Sequence, residues 1–403
     1  MEQRIGRRRR VAAIAGCVLA CAAAGAGAEP VVDQALGDPD NGNRIVGHER
    51  DVAQTFTAGV GGVITRVDVK ISIPTTAPVP YDLVVDLRPT TELGMPVEDD
   101  DAALDRRVVP ASAFPTFLDP LDFTAIEGLA VPVEPGDLLG LVLRAPSSPE
   151  GVAPYDWRAG AAGDPYESGT PACRGAAIVS CATGWRTIGG DQQFRTWVDP
   201  ALRVEASVGE PGNGLRIVGD ARELAQTFTI EHTGTLRWID LQLRRPTTFE
   251  DPYELVVDVR PTSAGGAPLE DDGAALATRT FASGQVPTFL APRTATRVDD
   301  LAIPVAAGDV LAVVLRSPSA PENVAPYDWF AGPAGDAYAG GAAYCRGAAI
   351  EQCASGWSEL AGDMQMRAVV EVPEPGGAAP ACAALAALGA VARRYARVSK
   401  KST

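Results

Sequence analysis

The residue types best suited to holding a ligand come in duplicate. Ala153-Pro154-Tyr155-Asp156-Trp157 recurs 172 positions later as Ala325-Pro326-Tyr327-Asp328-Trp329, and Trp185 and Trp357 follow the two copies. Indole and phenol faces stack on the apolar faces of sugar rings while a carboxylate accepts sugar hydroxyls, so an exposed group of this kind fits a glycan. The same aromatics also read as core and strand-end packing. A second pair is Glu98-Asp99-Asp100 and Glu270-Asp271-Asp272, each just after a Gly and Pro turn. Clustered loop carboxylates are what a hard cation such as calcium requires, with a solvated acidic loop as the competing reading. The third pair, Asp86-Leu87-Arg88 and Asp258-Val259-Arg260, sets opposite charges two residues apart on one strand face. An exposed ion pair of that kind contributes at most about 1 kcal/mol.

Enzyme chemistry has less to stand on. The only histidines, His48 and His232, match Asp220 and Val60 in the other copy, so the repeat builds neither a histidine triad nor a zinc set. No glycine loop shaped to cradle phosphate occurs. The chain therefore reads as non-enzymatic, and glycoside hydrolysis, which needs only two carboxylates, is the one catalytic alternative so acidic a sequence leaves open.

Four cysteines pair by position. Cys173 and Cys181 in one copy, and Cys345 and Cys353 in the other, are separated by seven residues, a spacing that suits one local disulfide per copy in an oxidising compartment. Cys17, Cys21 and Cys382 lie in the two terminal segments.

These residues sit in a module built twice. Positions 41–198 align without a gap on 213–370, and just over half of the aligned residues are identical. Each copy, at about 160 residues, is large enough to bury its own core. With 42 Gly and 33 Pro in a chain that is 46% hydrophobic, many short strands and tight turns are expected. Val67, Val69, Ile71 and Ile73 alternate with Asp68, Lys70 and Ser72, which predicts a strand with one wet face. Further strands are expected over 53–57, 81–88, 128–133, 138–144, 154–158 and 193–198, each bounded by Gly, Pro or Asx residues. The pattern predicts an all-β fold of two tandem antiparallel β-sandwich domains, jelly-roll-like, over 29–200 and 201–371.

Both ends carry addresses. Arg7 to Arg10 precede an apolar run, and Ala26-Gly27-Ala28 offers small residues for signal cleavage, so 1–28 reads as a signal peptide. Val18-Leu19-Ala20-Cys21 offers lipoprotein processing as an alternative. At the other end Val372-Pro373-Glu374-Pro375, an apolar stretch over 376–392 and Arg393-Arg394 close the chain. Residues 372–403 thus resemble the PEP-CTERM sorting signal of Gram-negative bacteria. The resemblance implies recognition by an exosortase-type membrane protease, transient insertion of a C-terminal hydrophobic helix in the inner membrane, and delivery to the outer surface or extracellular matrix. The arginines suit the cytoplasmic end of such a helix.

The chain's net charge of −16 understates the acidity of its middle, because both ends are basic. Such a surface repels nucleic acid. The leading expectation is an exported, surface- or matrix-associated protein whose tandem sandwiches bind or scaffold extracellular polysaccharide. A structural spacer without a ligand site is the main alternative.

Overall fold

Alternating apolar residues lay down the strands, and burial sorts their faces. In the computed structural model Val67, Val69 and Ile71 are buried in one apolar cluster with Phe56, Leu83, Val85, Leu87 and Trp157. The structure describes residues 29–373 except 38–41, 75–80, 117, 161–165, 210–213, 247–252, 292, 322–323, 334, 336–337 and 350. The expected signal peptide, Glu374 and Pro375 of the sorting motif, and the C-terminal helix lie outside the described residues. Among those described, the only helices are short 3-10 turns, and none is long and apolar enough to cross a membrane.

The strands pair antiparallel and sort into two sets of three sheets. In the first half a six-stranded sheet runs Arg186–Thr187, Pro171–Arg174, Asp51–Thr57, Leu138–Arg144, Leu83–Pro89 and Asp105–Val109. Facing it is a four-stranded sheet of Val31–Leu36, Phe194–Asp199, Gly62–Val69 and Thr124–Val133. A three-stranded sheet of Asn43–Val46, Tyr155–Arg158 and Ile71–Ser72 extends that second layer. Lys70 N–H donates to the Gln193 carbonyl, Arg158 N–H to that of Lys70, and Gln193 N–H to that of Arg158, which stitches the two smaller sheets together. The second half repeats the arrangement, and its strands pair only among themselves. Each half encloses its own apolar cluster, around Phe56 and Trp157 in one and Phe228 and Trp329 in the other.

The expected wet face of the Ile64 to Ile73 segment is not wet. Asp68, Lys70 and Ser72 are buried, and the segment divides at Lys70, where it changes partner strands. Asp68 tolerates burial because Arg66 Nε and Trp197 Nε1 donate to its carboxylate at 2.5 and 2.9 Å.

A buried polar clamp fastens the beginning of each half to its end. Gln54 Nε2 donates to Asp191 Oδ1 at 3.1 Å while Gln54 Oε1 accepts from Gln192 N–H at 2.8 Å. Gln226, Asp363 and Met364 N–H repeat this at 3.0 and 2.7 Å. The outermost pairing is also terminal: Val31 faces Val198 in one half, and Leu202 faces Glu371 in the other.

The halves meet edge on face. Val63 and Ala130 of the first cluster with Leu202, Val369, Val204 and Trp238 of the second. Arg367 Nη2 reaches Asp105 Oδ2 at 2.7 Å and Asp240 Oδ2 at 3.1 Å, while its Nη1 donates to the Leu104 carbonyl at 3.2 Å. Ala130 and Asp105 belong to Thr124–Val133 and Asp105–Val109, the strands that end the two large sheets on this side.

Candidate functional site

The duplicated aromatics point inward. Tyr155, Trp157, Tyr327 and Trp329 are each 0% exposed, so none of them offers a ring face to a sugar. Trp157 Nε1 donates to the Gln193 carbonyl and Trp329 Nε1 to that of Gln365, both at 2.9 Å. The hydroxyls of Tyr155 and Tyr327 donate to the Tyr81 and Tyr253 carbonyls. This corrects the ligand-binding expectation for these four residues. The two aromatics alternate along a strand whose inner face is the sandwich core, and backbone carbonyls satisfy their polar ends. Asp156 and Asp328 flank them on the opposite strand face. Burial raises both carboxyls above the ordinary range, against the opposing effect of Asn43 and Arg158 on Asp156 and of Arg244 on Asp328.

Trp185 and Trp357 lie on the far side of the six-stranded sheets. Trp185 packs with Ala53, Val142 and Ala172, and Trp357 with Ala225, Ala312 and Val314. Arg174 and Arg346 each sit 5.0 Å from the indole centre, so a cation takes the ring face that a sugar would need. The disulfides hold these lids. Cys173 bonds Cys181 and Cys345 bonds Cys353, with Cα separations of 5.8 and 5.6 Å. The glycine of each Cys-Arg-Gly is required by its backbone: Gly175 and Gly347 have φ of +127° and +132°. A Cβ there would overlap the carbonyl oxygens of Glu49 and Ala221.

The acidic runs are counter-ions to arginines. Asp100 accepts from Arg88 Nη2 at 2.9 Å and from Arg144 Nη1 and Arg174 Nη2, both at 2.6 Å. Burial pushes its carboxyl up, but hydrogen bonding from Arg174 and the charges of Arg144 and Arg88 outweigh it and hold the group at about 2. Asp272 is engaged by Arg260, Arg346 and Arg316, at 2.9, 3.1 and 3.6 Å. Asp99 and Asp271 cap 3-10 turns by accepting from Asp101 and Gly273 N–H. Glu98 and Glu270 lie exposed against Gly184 and Gly356. Asp100 and Asp272, two of the six residues expected to hold calcium, are instead bound by arginines. The carboxylates of Asp99, Asp100, Asp271 and Asp272 serve guanidiniums and turns, and no group of three acidic, histidine or cysteine side chains converges among the described residues.

The spacing of Asp86 and Arg88 predicts an exposed face; both are 0% exposed. Asp86 accepts from Arg88 at 2.6 Å, Arg106 at 2.7 Å and Arg144 at 2.9 Å, under the loop that carries Asp100. In the second half Asp258 meets Arg260 and Arg316, with Thr278 Oγ1 in the place of Arg106. The signal that could have found this cluster is the repetition of Arg144 and Arg174 as Arg316 and Arg346, charges held in both copies at strand positions.

Two depressions of about 100 and 250 Å³ stand out on the described surface, both between the halves. Each falls short of the ~300 Å³ at which small-molecule pockets begin. No family model matches the chain, and no curated protein matches it.

Proposed function

We propose that the chain is an exported, non-enzymatic structural protein of the cell surface or extracellular matrix. Its two halves act as tandem jelly-roll-like spacers. One observation carries this reading: the aromatics, ion-paired strand residues and cysteines that the copies share are turned inward, and of the shared acidic runs Asp100 and Asp272 are bound by arginines. A repeat selected for a ligand would hold its common residues at the surface. The PEP-CTERM resemblance supports the location. An exosortase-type protease would act at Val372-Pro373-Glu374-Pro375 while the C-terminal helix sits transiently in the inner membrane.

Two experiments test it. A glycan array probed with residues 29–373, with and without calcium, is expected to be silent. Calcium-dependent or calcium-independent capture of a polysaccharide would replace the spacer reading with the glycan-binding one. In a Gram-negative host that carries an exosortase, the full chain is expected at the cell surface or in the medium. Replacing Pro373, Glu374 and Pro375 by alanine is expected to retain it in the inner membrane, and unchanged release would remove the sorting assignment.

A further inference from the structure

The contact between the halves uses two different surfaces, the edge strand Thr124–Val133 of the first with Val63 of the strand beside it, and a sheet face of the second. Because the halves are copies, each surface has a counterpart elsewhere in the chain. The face around Leu202, Val204, Trp238 and Val369 is covered by Val63 and Ala130. Its counterpart on the first half, around Val32, Arg66 and Trp197, joins no cluster with the second half: Val32 is 45% exposed where Val204 is partly buried, and Arg66 and Trp197 are partly exposed. The edge residue Ala130 is fully buried in the contact, whereas its counterpart Ala302, at φ +45° where the equivalent strand breaks between Thr296–Val298 and Ile303–Val305, is exposed. One copy of the chain therefore carries one used and one unused set of each surface.

We propose that the chain self-associates head to tail, the open face around Val32 and Trp197 of one copy receiving the open edge around Leu276 and Ala302 of another. Each face carries a tryptophan stacked under an arginine, built from different positions: Trp238 has Arg66 as its counterpart, and Val369 has Trp197. Trp238 lies under Arg297, and Trp197 under Arg66, each with the cation 4.8 Å from the ring centre. A buried aspartate sits beside each stack, Asp240 with Arg297 at 2.8 Å and Asp68 with Arg66 at 2.5 Å. Arg367, which grips the Leu104 carbonyl across the contact, has Arg195 as its counterpart, and Leu104 has Leu276. On the used edge Arg107 feels the charge of Asp240; its counterpart Arg279 would face Asp68.

Among the positions that differ, one removes an ion pair. Asp105, the carboxylate that Arg367 reaches, is replaced by Ala277 in the second half. The contact between chains lacks that ion pair and lacks the tether that raises effective concentration within one chain. Association is accordingly weak and concentration-dependent. Since the two surfaces differ, the contact is heterologous and does not close on itself as a twofold dimer does, so growth is open unless its rotation forms a ring.

Residues 29–373 contain every described strand and both apolar clusters, so this span serves for the test. In sedimentation velocity its mean mass is expected to rise with concentration past that of a dimer. Val32→Glu blocks the face and Ala302→Glu blocks the edge, and each alone is expected to be monomeric with an unchanged circular dichroism spectrum. Mixed in equal amounts they are expected to form a dimer and nothing larger, since each supplies the surface the other lacks. Arg279→Glu, which would set a carboxylate against Asp68, replaces Ala302→Glu if the latter fails to fold. A monomeric wild type up to its solubility limit, a variant that still dimerises alone, or a mixture that stays monomeric would each overturn the proposal. The glycan and sorting experiments read a different property, so either conclusion can fail without the other.

Discussion

Asp86 and Arg88 form an ion pair in which neither side chain is exposed, two residues apart on one strand and 2.6 Å between Oδ2 and Nη2. Removing one member of such a pair leaves a charge without compensation in a dry setting, which costs about 3–5 kcal/mol. Asp258→Ala in the equivalent pair, where Asp272 still compensates part of the Arg260 charge, is expected to destabilise toward the lower end of that range, about 3 kcal/mol, read as a fall in the urea midpoint. The double variant Asp258→Leu with Arg260→Met should recover part of the loss. A loss below about 1 kcal/mol for the single change would mean that the pair is hydrated.

Trp157 fills the core and ties its ring N–H to the Gln193 carbonyl. Truncation to alanine is expected to cost about 3–5 kcal/mol, with a smaller loss for Trp157→Phe, measured by chemical denaturation. Neither change should alter a glycan array, because the ring never meets solvent.

Acid should loosen the arginine-bound loops. Asp100 titrates at about 2 in the folded chain, below the ~3.9 of an unfolded aspartate. A depressed carboxyl stabilises above its unfolded value, and that contribution disappears as the pH falls from about 4 to 2. Asp272 is lowered too and adds to the same trend. Asp51 and Glu223, raised chiefly by burial, act with the opposite sign and gain stability as they protonate. Asp100→Asn is therefore expected to melt below wild type at pH ~7 and to converge with it near pH ~2. Parallel melting curves across that range would contradict the assignment.

The disulfides close small rings, and Cys173, Cys181, Cys345 and Cys353 are all buried. Replacing Cys173 and Cys181 together by serine is expected to cost about 2–3 kcal/mol, seen as a lower melting temperature. Reductant added to the folded chain should act slowly, and immediate loss of both bonds would show that the lids open readily.

The period-two patterning made the strands legible, because a half-buried strand writes its inner face into every second residue. Expected strands over 53–57, 138–144 and 154–158 coincide closely with Asp51–Thr57, Leu138–Arg144 and Tyr155–Arg158. What escaped was the second covering of the sheets. Asp68, Asp86 and Arg88 are polar residues on what a two-layer sandwich leaves outside, so alternation assigns them to water. Loops carrying Trp185 and Asp100 cover the six-stranded sheet, and the arginines that neutralise Asp86 come from strands far apart in sequence. Local spacing cannot register such a layer. The same limit explains the aromatics: Tyr155 and Trp157 have the types of a sugar platform, and only the fold decides that their alternation faces the core.

The pairing of Val31 with Val198 puts the two ends of the first half side by side at one extremity of a ladder, and Leu202 with Glu371 does so for the second. Tension applied through the backbone therefore loads these hydrogen bonds one after another, as in opening a zipper, and does not shear them together. A chain held by its tail would lengthen by peeling an outer strand at modest force while the disulfide-closed loops stayed shut. Single-molecule pulling between residues 29 and 373 would register this as early, small extensions ahead of the rupture of either core.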